Sequence, residues 1–361
     1  MENKIHLAIV TARNLKTSSG SNNTVLNILN NLDESKYKID ILLIDDLVPI
    51  SLRISKENLK KVKTYVSFKL IKNNKKVLGC YHLSQLSLSK IQKKYDAAIV
   101  AIYNNFGEDG KLLGLLDTIG IPYIGPGLKA SVVCFDKTIT KAILQYNDIL
   151  VPRGIQINKD QYNYNNFKKL IENSFNYPFI VKTASCGASW GVSLITDKTQ
   201  LQSAIKEAFK FSEDVLIEEY IKGDEFTVGV VGNHVKPTVL PVVLIKTKNA
   251  FFDYEAKYTQ GLTKEICPAP ISKNLEIRLK NTALAAYRAV KAESHSRIDM
   301  IVSGDNIYVL EINTFPGLTS SSIFPKELIA TGSSLSQFLD KNIRDKLKGK
   351  KLINSTSYTH N

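Results

Sequence analysis

Three short apolar runs, Ile5 to Val10, Ile39 to Ile44 and Ala97 to Tyr103, punctuate the first third of the chain, and Val25, Ile28 and Leu32 recur at helical spacing between the first two. Runs of this length separated by an amphipathic helix read as strand, crossover helix, strand, a connection that makes consecutive strands parallel. A parallel sheet covered by helices is therefore expected at the start. The turn formers of Ile121-Pro122-Tyr123-Ile124-Gly125-Pro126-Gly127 end this region near residue 125.

Beyond that break the pattern changes to mixed helices and hairpins. A helix is expected over Ser131 to Tyr146, followed by a break at Val151-Pro152. The stretch Asn158 to Tyr177 is biased toward Asn, Lys and Tyr, yet Phe167, Leu170, Ile171 and Phe175 keep the spacing of an amphipathic helix. Strands are expected at Phe179 to Val181 and Val192 to Ile195, flanking the glycine-containing turn Ser185 to Gly191, and again at Val215 to Ile217 and Phe226 to Val230. A strand over Val239 to Ile245 leads into a polar, aromatic loop from Lys246 to Ile266. A helix through Leu275, Leu279, Ala283, Ala286 and Val290 then precedes strands Arg297 to Val302 and Ile307 to Ile312, and a Pro/Gly/Ser-rich loop runs from Asn313 to Pro325.

Length and composition fit a folded chain of two or three domains: 361 residues, 43% hydrophobic and 23% charged. No apolar run approaches the ~18 residues that cross a bilayer, and the N-terminus lacks a signal-type segment, so a cytoplasmic protein is expected. The four cysteines and five histidines are scattered, which argues against a zinc site or a disulfide framework. Lysine and arginine outnumber aspartate and glutamate, 48 to 34, a formal charge of +14. The excess lies between Arg53 and Lys94 and around Lys341 to Lys351, with few aromatics or arginines nearby. That composition suits a solvated surface or a binding face, and by itself does not choose among nucleic acid, anionic lipid and anionic small ligands; small-molecule substrates are the expected partners, not nucleic acid or membrane.

Two groups of residues carry possible chemistry. Asp299 follows Arg297-Ile298, and Glu311 and Asn313 flank Ile312, each within an apolar strand. On neighbouring strands the three oxygen donors would share a face and suit Mg²⁺, which keeps water and phosphate in its other positions; a polar ladder on a solvated face meets the same spacing. Lys137 and Lys182 adjoin apolar elements, and Lys182 precedes the small-residue turn Thr183 to Gly191. Ammonium groups beside such a turn can hold phosphate oxygens, though a surface lysine at a hairpin looks the same, and the turn matches no established phosphate-loop pattern.

Taken together, Phe106-Gly107-Glu108-Asp109-Gly110, Asp136-Lys137, Ile180-Val181-Lys182, Glu218 to Glu225, Asp253 to Tyr258, Cys267-Pro268-Ala269, Arg297-Ile298-Asp299 and Leu310 to Thr319 follow the order and spacing of D-alanine-D-alanine ligases. From about Ala97 to Gly332 the chain resembles that family of the ATP-grasp superfamily. The resemblance implies an α/β, Rossmann-like pre-ATP-grasp domain over residues 1–125. Two α+β ATP-grasp subdomains would follow over 126–225 and 226–346, with a basic tail at 347–361. It implies an ADP-forming ligase that makes a dipeptide, D-alanyl-D-alanine or a related product, through an acyl-phosphate. Lys137 and Lys182 would contact the phosphates of ATP; Glu218, Glu219, Tyr220 and Ile221 would line the adenine pocket; and Glu225 would bind ribose. Asp299, Glu311 and Asn313 would hold two Mg²⁺ ions, with Mn²⁺ as a substitute. Lys257 and Tyr258 would close over the γ-phosphate, and Arg297 with the Gly317 N–H would stabilise the tetrahedral intermediate. Glu108, Ala188 and Ser189 would face the first amino acid, and Ser322 and Ile323 the carboxylate of the second. A homodimer acting in cell-wall peptidoglycan synthesis is implied as well.

The sequence departs from the family around one subsite. The family's Gly-Gly-x-Ser-x-Glu element, whose glutamate binds the ammonium of the first D-alanine, is replaced by Thr11-Ala12-Arg13-Asn14-Leu15-Lys16, and no carboxylate occurs between Lys4 and Asp33. A His-Gly pair becomes Tyr103-Asn104, and the serine that pairs with the glutamate becomes Ala188. An ammonium without its counter-charge in a closed site is costly, so a donor other than D-alanine is the alternative expectation, and a nucleotide-binding pseudoenzyme is the competing class.

Overall fold

The computed structural model describes residues 4–12, 19–44, 76–83, 86–103, 106–187, 191–247 and 262–355. The chain divides into two units, one formed by residues 1–128 together with 316–361, the other by 129–315.

In the first unit, strands β1 (Ile5–Ala12), β2 (Tyr37–Ile44), β3 (Val77–His82), β4 (Ala97–Ala101) and β5 (Tyr123–Ile124) form one parallel sheet in the order β3-β2-β1-β4-β5. The runs in β1, β2 and β4 are buried along nearly their whole length, as strands covered on both faces must be. Helices α1 (Ser19–Asn31), α2 (Leu88–Lys94) and α3 (Lys111–Thr118) supply the crossovers, so the expected parallel α/β layer is present. Strand β3, at the sheet edge, and the two-residue β5 were not legible. β5 lies inside the turn formers and pairs with β4, Ala98 opposite Tyr123.

Helix α4 (Leu128–Phe135) begins at the unit boundary, and α5 (Lys137–Tyr146) follows in the second unit. The single helix expected over Ser131 to Tyr146 is thus two, because Asp136 leaves helical geometry (φ −94°, ψ 110°) and accepts hydrogen bonds from the N–H groups of Thr138 (2.8 Å) and Ile139 (3.1 Å). Strands β6 (Gly154–Asn158), β7 (Phe179–Thr183), β8 (Ser193–Ile195) and β9 (Asp214–Glu219) form a sheet in the order β6-β9-β7-β8. Helices α6 (Tyr164–Ser174) and α7 (Leu201–Ala208) cover it over a core that includes Ile171, Phe179, Val181, Ile205 and Ile217.

The second sheet of this unit holds β10 (Asp224–Val231), β11 (Thr238–Val239), β12 (Val243–Thr247), β13 (Thr263–Ile266), β14 (His295–Ser303) and β15 (Asn306–Asn313), all antiparallel. Helix α8 (Lys273–Ala289) buries Leu279, Ala283, Ala286 and Tyr287 against β10, β14 and β15. The strand expected over Val239 to Ile245 is interrupted at Leu240-Pro241, where proline has no N–H to give to a ladder.

Residues 316–361 group with the first unit. The expected loop from Asn313 to Pro325 ends earlier, at Ser322, because Pro325 occupies the first turn of α9 (Ile323–Ala330), where a missing N–H removes no helical hydrogen bond. Helix α10 (Leu335–Ser355) packs on β4, β5, α1 and α9. Its Asp340 accepts a 2.5 Å hydrogen bond from the Tyr37 hydroxyl and pairs with Arg344. No helix among the described residues is long and apolar enough to cross a membrane.

Candidate active site

The chemistry-bearing edge of the second unit is made by β14 and β15. Their antiparallel register sets Asp299 opposite Glu311 and Arg297 opposite Asn313, so the two carboxylates and the amide lie on one face. Between Asp299 and Met300 the register slips, leaving Leu310 as an extra residue on β15. The bulge lets Val309 (0% exposed) and Ile312 (3%) both point into the core while Leu310 and Glu311 turn the other way. Asp299 is nearly buried. It takes both arms of the Arg297 guanidinium, Nε and Nη2 at 2.9 Å, the Asn313 Nδ2 at 2.8 Å and the Thr227 hydroxyl at 2.5 Å.

Across from this edge, the lysines converge. Lys137 begins α5, its N–H bonded to the Ala184 carbonyl and its Nζ 2.8 Å from the Cys186 carbonyl and 3.9 Å from Glu311 Oε2. One helical turn on, Lys141 shares that face and reaches Glu218 Oε1 at 2.7 Å; Lys182, on β7, reaches Glu218 Oε2 at 2.7 Å. Lys141, Lys182 and Glu218 are 6%, 8% and 3% exposed, so this is a buried +/−/+ triad rather than a surface ion pair. Burial alone would raise the Glu218 pKa, but the two ammonium groups outweigh it and hold the carboxyl below its usual range. Burial brings Lys141 down to about 8, against the opposing pull of Glu218.

Because the folded value of Lys141 lies below its ordinary 10.5, the unfolded chain holds more protons between about pH 8 and 10.5. The contribution of this group to folding therefore becomes more favourable as pH rises through that window. Urea unfolding of wild type and Lys141→Met at steps from pH 7.5 to 10 is expected to show their difference moving in favour of wild type with pH; a flat difference would contradict the assignment.

Residues from both sheets line one cleft. Its polar part holds Lys137, Lys182, Glu218, Glu219, Glu225, Asp299 and Glu311, and Tyr220 and Ile221 border it along the connection from β9 to β10. Ile180, Val192, Ile301 and Leu310 supply apolar walls. Glu219 is held at the rim, its carboxylate accepting from Arg153 N (2.9 Å) and Nε (3.0 Å). Sequence reasoning missed Lys141 and the apolar walls. Lys141 was signalled by its four-residue offset from Lys137, whereas Leu310 enters through a bulge that alternation does not reveal. Among the described residues no group of three or more His, Cys, Asp and Glu side chains could hold a metal ion. The set at β14 and β15 is instead two carboxylates and an amide, hard oxygen donors that fit a divalent cation keeping other positions for water or phosphate.

The remaining expected residues belong elsewhere. Gly317, Ser322 and Ile323 lie in the first unit, where a Cβ on Gly317 would meet the Ser322 Oγ at 2.6 Å. Ser322 precedes α9 and shares a 2.7 Å hydrogen bond with the Thr319 hydroxyl; Ile323 is buried. Glu108 is half-buried in the turn before α3, also in the first unit. Ala188, Ser189, Lys257 and Tyr258 fall outside the described residues, as do Arg13 to Lys16 and Asn104.

Comparison with known proteins decides the kinship. A family model described as "D-ala D-ala ligase C-terminus" matches residues 143–344, more than half of the chain. The chain belongs to the D-alanine–D-alanine ligase family. It is 38% identical over 258 residues to the D-alanine–D-alanine ligase of Clostridium beijerinckii, covering 71% of this chain and 82% of that one. The solved D-alanine–D-alanine ligase of Bacillus anthracis superposes with a TM-score of 0.73 at 30% identity, over 97% of this chain and 99% of the other. The VanG D-Ala:D-Ser ligase from Enterococcus faecalis gives 0.77 at 26% identity, over 95% and 100%. With the family come the ATP-grasp architecture, ADP-forming ligase activity, and the use of ATP and a divalent metal.

Proposed function

We propose that the cleft lined by residues of both sheets binds ATP and that this chain condenses two small amino acids into a dipeptide of the D-alanyl-D-alanine type. What supports this reading most is the convergence of Lys137, Lys182, Asp299 and Glu311 on one cleft with apolar walls. Ile180, Val192, Ile301 and Leu310 suit a flat base, Glu225 a ribose, and the two ammonium groups a polyphosphate. A carboxylate is a poor electrophile; moving the γ-phosphoryl group of ATP onto it gives an acyl-phosphate that an amine can attack with loss of phosphate. Asp299, Glu311 and Asn313 would hold two Mg²⁺ ions, which when bound neutralise charge on the transferring phosphoryl group. Arg297 is kept oriented by its bidentate bond to Asp299, and together with the Gly317 N–H it would stabilise the oxyanion of the tetrahedral intermediate, where one donor is worth ~3 kcal/mol. Lys257 and Tyr258 would cover the phosphates, Glu108, Ala188 and Ser189 would face the acyl donor, and Ser322 and Ile323 would receive the acceptor carboxylate.

A second reading concerns the donor alone. No carboxylate occurs between Lys4 and Asp33, and on α1 the buried Thr24 hydroxyl and the Tyr103 hydroxyl, 2.7 Å apart, are both neutral groups. This favours an acyl donor without a free α-amine. Incubation of the pure protein with ATP, Mg²⁺ and D-alanine alone separates the two: stoichiometric ADP and the mass of D-alanyl-D-alanine establish the ordinary ligase. ADP release only when an N-blocked or hydroxy acid is paired with D-alanine or D-serine establishes the altered donor. Absence of ATP turnover across such a panel would overturn both.

A further inference from the structure

The buried triad contains one more cation than a simple anchor for Glu218 requires. The geometry points to Lys141 as a positioning residue for the nucleotide: by taking one oxygen of Glu218, it keeps that carboxylate from neutralising Lys182, so that Lys182 presents net positive charge to the phosphates. The inference rests on the reading of Lys182 as a phosphate ligand.

The arrangement divides the Glu218 carboxylate between two ammonium groups, Oε1 at 2.7 Å from Lys141 and Oε2 at 2.7 Å from Lys182. An ammonium has three donors, so Lys182 keeps hydrogen-bonding capacity beyond the one bond to Glu218, and it lines the cleft while Lys141 does not. The net charge of the triad is +1. Without Lys141 the same carboxylate faces Lys182 alone, the pair becomes neutral, and the full negative charge of Glu218 stands next to the incoming phosphates. What separates the two lysines is the cleft itself: both ammonium groups reach Glu218, but only Lys182 is among the residues that line it. The cost of burying a third charge is offset only if the extra cation does something that a neutral pair would not.

The charge count gives a four-way test. Lys141→Met (net charge 0) is expected to weaken ATP, raising its KM and the Kd of Mg·ADP by roughly 30-fold, the effect of one unit charge acting over about 8 Å at an effective dielectric constant of ~20. The kcat at saturating ATP should change little. Lys141→Arg keeps the charge and should retain wild-type KM within a few-fold. The double variant Lys141→Met/Glu218→Gln returns the count to +1 and should recover most of the lost affinity, which a role in packing or in shaping the pocket would not allow. Calorimetric Kd values, with thermal melts showing each variant folded, supply the readout. A double variant no tighter than Lys141→Met overturns the inference, because Glu218 would then be acting on the nucleotide directly. Lys182→Met tells the two levels apart: if it weakens ATP and Lys141→Met does not, only the charge-sharing role falls. If neither variant weakens ATP, the assignment of this cleft to the phosphates falls with it.

Discussion

Asp299→Asn is expected to reduce kcat by about 10³-fold while the protein stays folded, with wild-type-like binding of ADP in the presence of a chelator. The substitution keeps the shape of the side chain but replaces one acceptor oxygen by an NH₂ donor. Asp299 receives four hydrogen bonds, two from Arg297 and one each from Asn313 and Thr227, and an amide cannot accept them all. Two consequences arise together. The proposed metal position loses its most buried anionic ligand, and Arg297 loses the bidentate partner that orients it toward an oxyanion. Loss of the two hydrogen bonds made to the replaced oxygen, at a site already nearly buried, should destabilise the unit by ~1–3 kcal/mol, visible as a modest fall in the melting temperature. Turnover within tenfold of wild type would remove Asp299 from the metal site and with it the proposed role of the β14–β15 edge.

Gly223→Ala is expected to have the largest effect on stability of any single-methyl addition at the cleft. A Cβ at this position would lie 2.1 Å from the Val302 carbonyl oxygen and 2.8 Å from the Ile301 Cγ2. Val302 is backbone of β14, paired in register with Asp224 of β10, so the methyl cannot be accommodated by a rotamer change. Either β10 and β14 separate at this end, or the connection that carries Tyr220 and Ile221 shifts outward. Overpacking of that kind costs ~1–3 kcal/mol or more, and in a unit of this size should lower the melting temperature by about 5–10 °C. The same displacement would move Glu225 and Ile301 at the cleft, so ATP KM should rise alongside. A melting temperature within 1–2 °C of wild type would show that the connection yields easily and does not position the base.

How far the sequence carries depends on whether a residue's neighbour is encoded locally. β1, β2 and β4 were legible because burial on both faces writes an unbroken apolar run. Helix α8 was legible because Leu279, Ala283 and Ala286 repeat with its period. Glu311 and Asn313 could be placed on one face because the strand period is two, and Asp299 could join them only on the expectation that the two strands are neighbours. Where a side chain's role is set by a distant partner the signal fades. The resemblance implied an adenine-pocket place for Glu218, whereas its ion pairs with Lys141 and Lys182, 77 and 36 residues away, left no mark in the sequence. Leu310 enters the cleft only through a bulge. The break at Asp136 did carry a signal, since aspartate is favoured at an N-cap, but apolar residues on both sides continue the helical spacing and the backbone angles are what reveal the cap.

The grouping of residues 316–361 with the opening strands sets an order of events during synthesis. Residues 129–315 are contiguous and can collapse as soon as they leave the ribosome, whereas β4 and β5 lack the cover of α10, and Tyr37 lacks Asp340, until residues 335–355 have been made. The parallel sheet is therefore begun before the second unit and completed after it. Until then the part of its apolar surface over β4 and β5 waits for the cover of α10 while residues 129–315 are being made.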